Sequence, residues 1–136
     1  MFLKKLNDKE QKSFLDLAYY TMIADKCIAA SESMVFKNFQ EEVGLDTKQY
    51  PTSRTKTLDS ILAGFNNSSE TVKKIVLFEL WRMIFADNHY HENQKKVIET
   101  LANAWKMNQD KLDEILHVAK EYINMTINIK DKLLSI

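Results

Sequence analysis

Two stretches decide the fold: MIADKCIAASE, Met22 to Glu32, and IFADNHYHENQ, Ile84 to Gln94. Each joins the end of one apolar-periodic segment to the start of another, and Ala24-Asp25 aligns with Ala86-Asp87 at an offset of 62 residues (86 minus 24). The alignment extends without a gap in both directions. Upstream, Phe14, Leu15, Ala18 and Met22 meet Val76, Leu77, Leu80 and Ile84; downstream, Val35, Phe36, Phe39 and Val43 meet Val97, Ile98, Leu101 and Trp105. Any two amphipathic helices share some apolar spacing, but agreement across a joint marks an internal repeat of two helix pairs.

The remaining elements follow from caps and breakers. Asn7 or Asp8 caps a first helix to about Ala24, and Ser31 is placed to cap a second that ends near Gly44, the expected left-handed residue past its end. The polar run DTKQYPTSRTKT, Asp46 to Thr57, with the lone Pro51, reads as a loop before a short helix over Leu58 to Phe65. NNSS, Asn66 to Ser69, caps a fourth helix through Ala86, and Glu92 to Trp105 is a fifth. Asn108 caps a sixth, about 109–130, whose inward stripe reads Leu112, Ile115, Leu116, Ala119, Ile123 and Ile127. The expectation is an all-α, compact bundle of about six helices in one domain, with repeat halves at about 8–45 and 70–112. Tyr19, Tyr20, Phe78, Trp81 and Phe85 lie beyond a single-sided stripe, so the first and fourth helices are expected to be central. Glu79 and Arg82, three apart, are expected to pair on whatever side of the fourth helix stays polar, and Lys48, Arg54 and Lys56 to be solvated loop charges.

Composition narrows the function classes. In 136 residues, 19 Lys and Arg balance 19 Asp and Glu, which leaves no long-range field to draw nucleic acid or an anionic membrane. The longest apolar stretch, Ile75 to Ala86, is broken by Glu79 and Arg82 and is too short to span a bilayer. The start, MFLKKLNDKEQ, has no apolar signal region, so a cytoplasmic location is expected. Cys27 stands alone, so no internal disulfide and no cysteine-rich zinc site can form. Glu114 and His117 supply one Glu-x-x-His, where a di-iron bundle needs two. No phosphate loop, serine elbow or cysteine triad is present, and a noncatalytic protein is expected.

Phe14 to Leu45 and Val76 to Leu112 resemble the two halves of the TerB-like tellurite-resistance domain. Its recurring phrase is Ala-Asp-Gly, an apolar residue two further on, then Glu opening the next helix. Here it reads Ala24-Asp25-Lys26-Cys27-Ile28-Ala29-Ala30-Ser31-Glu32 and Ala86-Asp87-Asn88-His89-Tyr90-His91-Glu92-Asn93-Gln94, with Lys26 and Asn88 where the family has Gly and Gln94 where it has Glu. The resemblance implies a helical bundle of bacterial or phage origin, associated with envelope or chemical stress, that binds a divalent cation through its acidic corners.

The residues offer two readings of those corners. A Ca²⁺ or Mg²⁺ site takes its oxygens from Asp25 with Glu32 and Ser31, and from Asp87 with Glu92 and Gln94, water completing a shell of about six. At the second corner His89 and His91 add nitrogens for Zn²⁺, but no third nitrogen or sulfur is fixed nearby. Without metal, the same Asp residues accept loop N–H groups, and Glu32 and Glu92 complement the positive ends of their helices. The functional expectation is therefore binding, of a divalent cation or a protein partner. Rivals are an immunity or antitoxin-type module that only covers a partner, and a homo-oligomer assembled through the sixth helix.

Overall fold

Local sequence sets the helix ends. The computed structural model describes residues 1–24, 29–53, 55–87 and 91–136, the Asp87 side chain excepted. Helix α1 spans Asp8–Ile23, α2 Ala30–Val43, α3 Leu58–Leu62, α4 Glu70–Ile84, α5 Glu92–Ala104 and α6 Gln109–Ser135, and no strand occurs among the described residues. Asn7 opens α1 with a reciprocal capping box: its side chain accepts from Glu10 N–H at 2.8 Å while Glu10 accepts from Asn7 N–H at 2.9 Å. Ser69 and Asn108 cap α4 and α6 in the simpler way.

The repeat is visible in the backbone. Helices α1 and α4 start at residues 8 and 70, α2 and α5 at 30 and 92, so both pairs keep the 62-residue offset (70 minus 8, 92 minus 30). Their second helices end identically. Gly44 N–H donates to Glu41 O and Leu45 N–H to Gln40 O; Lys106 N–H donates to Asn103 O and Met107 N–H to Ala102 O. Gly44 (φ 71°) and Lys106 (φ 53°) are the positive-φ residues of this chain among those described. A non-glycine residue there carries a steric penalty of about 1 kcal/mol, so Lys106→Gly is expected to stabilise the protein by about 0.5–1 kcal/mol. Urea denaturation should read this as a higher midpoint with an unchanged slope.

After these ends the halves diverge. Asp46 Oδ1 accepts from Lys48 N–H at 2.8 Å and Gln49 N–H at 3.0 Å, which begins a helical turn, but Pro51 follows and the chain runs on as a loop to α3. Asn108, the equivalent residue, starts a helix of 27 residues.

The core lies between α1 and α4, with Phe14, Leu15, Leu17 and Ala18 of one and Val76, Leu77, Leu80 and Met83 of the other wholly buried. Phe39 of α2 and Leu101 of α5 close it from equivalent positions. Gly64 lets the turn after α3 rest on α1, because a Cβ there would stand 1.9 Å from Ser13 Oγ. Helix α6 packs along α4 through Leu112 and Ala119.

Four sequence expectations need correction. Ser31 does not cap α2; Ala29 occupies that position without a side-chain bond, and Ser31 sits in the first turn because the joint ends earlier than the cap signal suggested. Val35 and Val43 are only half-buried, since Phe36 and Phe39 fill the space beneath α2. Ile127 is 42 % exposed, because α6 runs past the body it packs on. Glu79 and Arg82 do pair, at 3.1 Å, but not on a polar side: Glu79 is wholly buried, and the guanidinium lies 5.5 Å from the centre of the Phe39 ring and 5.8 Å from that of Tyr122.

Candidate functional site

The acidic corners place two equivalent residues in contact. Glu32, in the first turn of α2, and Gln94, in the first turn of α5, are separated by the repeat offset of 62 and are both fully buried. Gln94 Nε2 donates to Glu32 Oε2 at 2.7 Å and to Thr21 O at 3.4 Å. Both neighbours are acceptors, so they fix which way the amide points. The two positions are equivalent by the repeat offset, and the neutral amide at one of them makes the contact attractive, where two carboxylates this close would repel.

Other sequence-derived candidates are spread around this pair. Ser31 is half-exposed beside Glu32, and Glu92 is exposed at the start of α5. His91 holds the N-cap position of α5 with extended backbone, and its side chain makes no capping bond. Asp25 and His89 lie outside the described residues, as do Lys26, Cys27, Asn88 and Arg54; Asp87 is described only as backbone, closing the 3₁₀ turn Phe85–Asp87. Among the described residues no group of three or more His, Cys, Asp and Glu comes together.

A second polar cluster was not foreseen. Asp16, buried on α1, accepts from Tyr50 Oη at 2.5 Å and pairs with Lys56 Nζ at 2.7 Å; Lys56 also donates to Tyr50 Oη at 3.0 Å. Lys56 is therefore not the solvated loop charge that composition suggested, since the loop that carries it is strapped to α1 through this carboxylate. Hydrogen bonds from Lys56 to Asp16 and Tyr50 raise the lysine pKa, and burial with the Asp16 contact raises that of Tyr50. In both cases the folded state holds its proton more tightly than the unfolded chain, so the strap's contribution is complete below the ordinary values of 10.5 for lysine and 10.0 for tyrosine and is lost as pH rises through the folded values. Asp16→Asn is expected to flatten the fall in stability above about pH 10, as measured by urea denaturation at a series of alkaline pH values. An unchanged alkaline slope would show that the strap does not titrate as described. Raised pKa values leave the lysine charged and the phenol neutral at neutral pH, so the cluster holds a loop and offers no activated nucleophile.

The third feature is the far half of α6. Ile115, Leu116 and Tyr122 pack against the core, but residues 124–136 are all exposed. Met125 is 60 % exposed, Ile129 53 %, Leu133 66 % and Leu134 76 %. This arm projects about 20 Å at the rise of an α-helix. At its root, between α4 and α6, an apolar groove of about 330 Å³ is lined by Phe2, Ile75, Phe78, Ile115 and Val118, with Lys111 and Glu114 on its rim. The sequence pattern placed this stripe on a helix, but periodicity cannot say where the body beneath it stops.

Comparison with known proteins supplies no relative to weigh against this geometry: no family model, curated protein or solved structure matches the chain. Among the described residues no helix is long and apolar enough to cross a membrane.

Proposed function

We propose that this chain is a noncatalytic, TerB-like interaction domain that binds another protein through the projecting half of α6. One observation carries the reading: residues 124–136 are helical to Ser135 and exposed throughout, yet include Met125, Ile127, Ile129, Leu133, Leu134 and Ile136. A helix segment this short is marginal in water when nothing packs on it, and a row of large apolar side chains on it favours an apolar cover. The buried Glu32–Gln94 pair and the Asp16 strap fix the body that presents the arm. The reading holds whether the partner belongs to a stress response, as the TerB resemblance implies, or is a toxin that an immunity-type module covers. The test is a photoreactive amino acid at Ile129 or Leu133, with exposed Glu99 of α5 as the control position, activated in the protein's own cells. Adducts specific to the two arm positions are expected; none above the Glu99 control would overturn the reading.

A divalent cation at the acidic corners is the second reading. It is supported by the wholly buried Glu32 carboxylate beside the joint, an oxygen donor in the first turn of α2. Calorimetric titration of chelator-treated protein with Ca²⁺, Mg²⁺, Mn²⁺ and Zn²⁺ tests it. Saturable heat lost in Asp25→Asn, or with Zn²⁺ in Asp87→Asn, is the expected signature, and no heat from any ion would discard it.

A further inference from the structure

We propose that the partner of the arm is a second copy of this chain, docked antiparallel so that each arm lies along the root of the other's α6. The proposal rests on the reading of the arm as a docking element and names its occupant. Along α6, Ile115, Val118, Tyr122, Met125, Ile129, Lys132 and Ile136 follow alternating spacings of three and four, the seam of a two-stranded coiled coil. Val118, Met125, Ile129 and Ile136 are exposed on it, and the groove that Ile115 and Val118 line with Phe78 opens at its root.

Of the antiparallel registers of this seam, the one we take lays Ile129 and Lys132 over the groove that Ile115 and Val118 line. Tyr122 faces Met125 of the second copy, Ile129 faces Val118, and Lys132 faces Ile115 beside Glu114. Charge favours the same arrangement. The root of α6 carries Asp110, Asp113, Glu114 and Glu121 against Lys111 and Lys120, whereas the tip carries Lys130 and Lys132 against Asp131. A parallel pair would set acidic root on acidic root and basic tip on basic tip. The antiparallel pair sets tip on root twice, as the twofold symmetry of an isologous dimer requires. Lys132, the one charge in the seam, lies beside Glu114 of the second copy in this register and beside Lys132 of the second copy in a parallel in-register pair, so it selects the orientation as a polar seam residue does in coiled coils.

The test is sedimentation equilibrium of the full chain from submicromolar to submillimolar concentration, with circular dichroism to verify folding. Wild type is expected to reach twice the 15.9 kDa monomer mass. Ile129→Glu should remain monomeric, and Lys132→Glu and Glu114→Lys should each dimerise at least about tenfold more weakly, because each sets like charges against each other at both ends. An equimolar mixture of those two charge variants should recover the dimer, since each then supplies what the other lacks. A wild type that stays monomeric at every concentration overturns the proposal, as does a dimer that neither charge variant weakens. If wild type is monomeric while Ile129 crosslinks to a different protein in cells, the second copy is refuted and the arm remains a docking element; if it is monomeric and nothing crosslinks, both fall.

Discussion

Gln94→Glu is expected to cost about 3 kcal/mol of stability at neutral pH, the scale of breaking a buried polar pair by putting like charge on charge. The substitution changes almost no volume, so the effect comes from charge: Glu32 Oε2 now receives the Gln94 amide at 2.7 Å, and a carboxylate in its place would face a second carboxylate in a fully buried site. Protonating one of the two carboxylates relieves the repulsion, so the deficit is expected to shrink as pH falls from neutral towards about 4. Urea denaturation of wild type and variant at several pH values measures it. The double exchange Glu32→Gln/Gln94→Glu should recover most of the stability, because it places the same two groups at equivalent positions in reverse. A double variant no better than Gln94→Glu would mean that the halves are not interchangeable at this point.

Phe39→Ala is expected to cost about 3–5 kcal/mol, a large part of the total stability of a domain of this size. Phe39 is fully buried, meets Phe14 edge-on with ring centroids 4.9 Å apart, and carries the Arg82 guanidinium over its face at 5.5 Å. Truncation opens a cavity between α1 and α2 and removes a ring that shelters the buried Glu79–Arg82 pair. Phe39→Leu, the residue found at the equivalent position Leu101, should cost much less, because most of the volume is kept. Equal losses for Ala and Leu would show that the ring contacts, and not the filled volume, hold this part of the core.

Most of the helical framework was legible because it depends on local chemistry. Asn7, Ser69 and Asn108 sit where a capping side chain is needed, Gly44 takes the left-handed conformation, and the apolar spacing on either side of the two joints fixes both helix pairs. What the sequence hid depends on contacts between distant residues. Glu32 in a first helical turn reads as a solvent-facing charge near a helix dipole. It is buried where the first turns of α2 and α5 touch, and the signal was the offset itself: Glu32 and Gln94 are equivalent positions, and the fold brings them into contact. Asp16 left a weaker trace, a carboxylate inside the apolar run Phe14 to Ala18, where only a long-range partner could satisfy it. Glu79, inside the longest apolar stretch, has one partner the sequence showed, Arg82 three residues on, and one it hid, the Met1 amino group at 3.2 Å. The arm misled in the opposite sense, because an apolar stripe has the same periodicity whether its cover is the same chain or another.

Amide hydrogen exchange across α6 reports whether the arm is a docking element. In Ile129→Glu, residues 124–136 are expected to exchange nearly as fast as an unfolded segment while 109–119, packed on α4, stay protected; in wild type the arm should gain protection as concentration rises or a partner is added. An arm equally protected in wild type and variant at every concentration would contradict the account, because it would show a helix that is stable with nothing covering it.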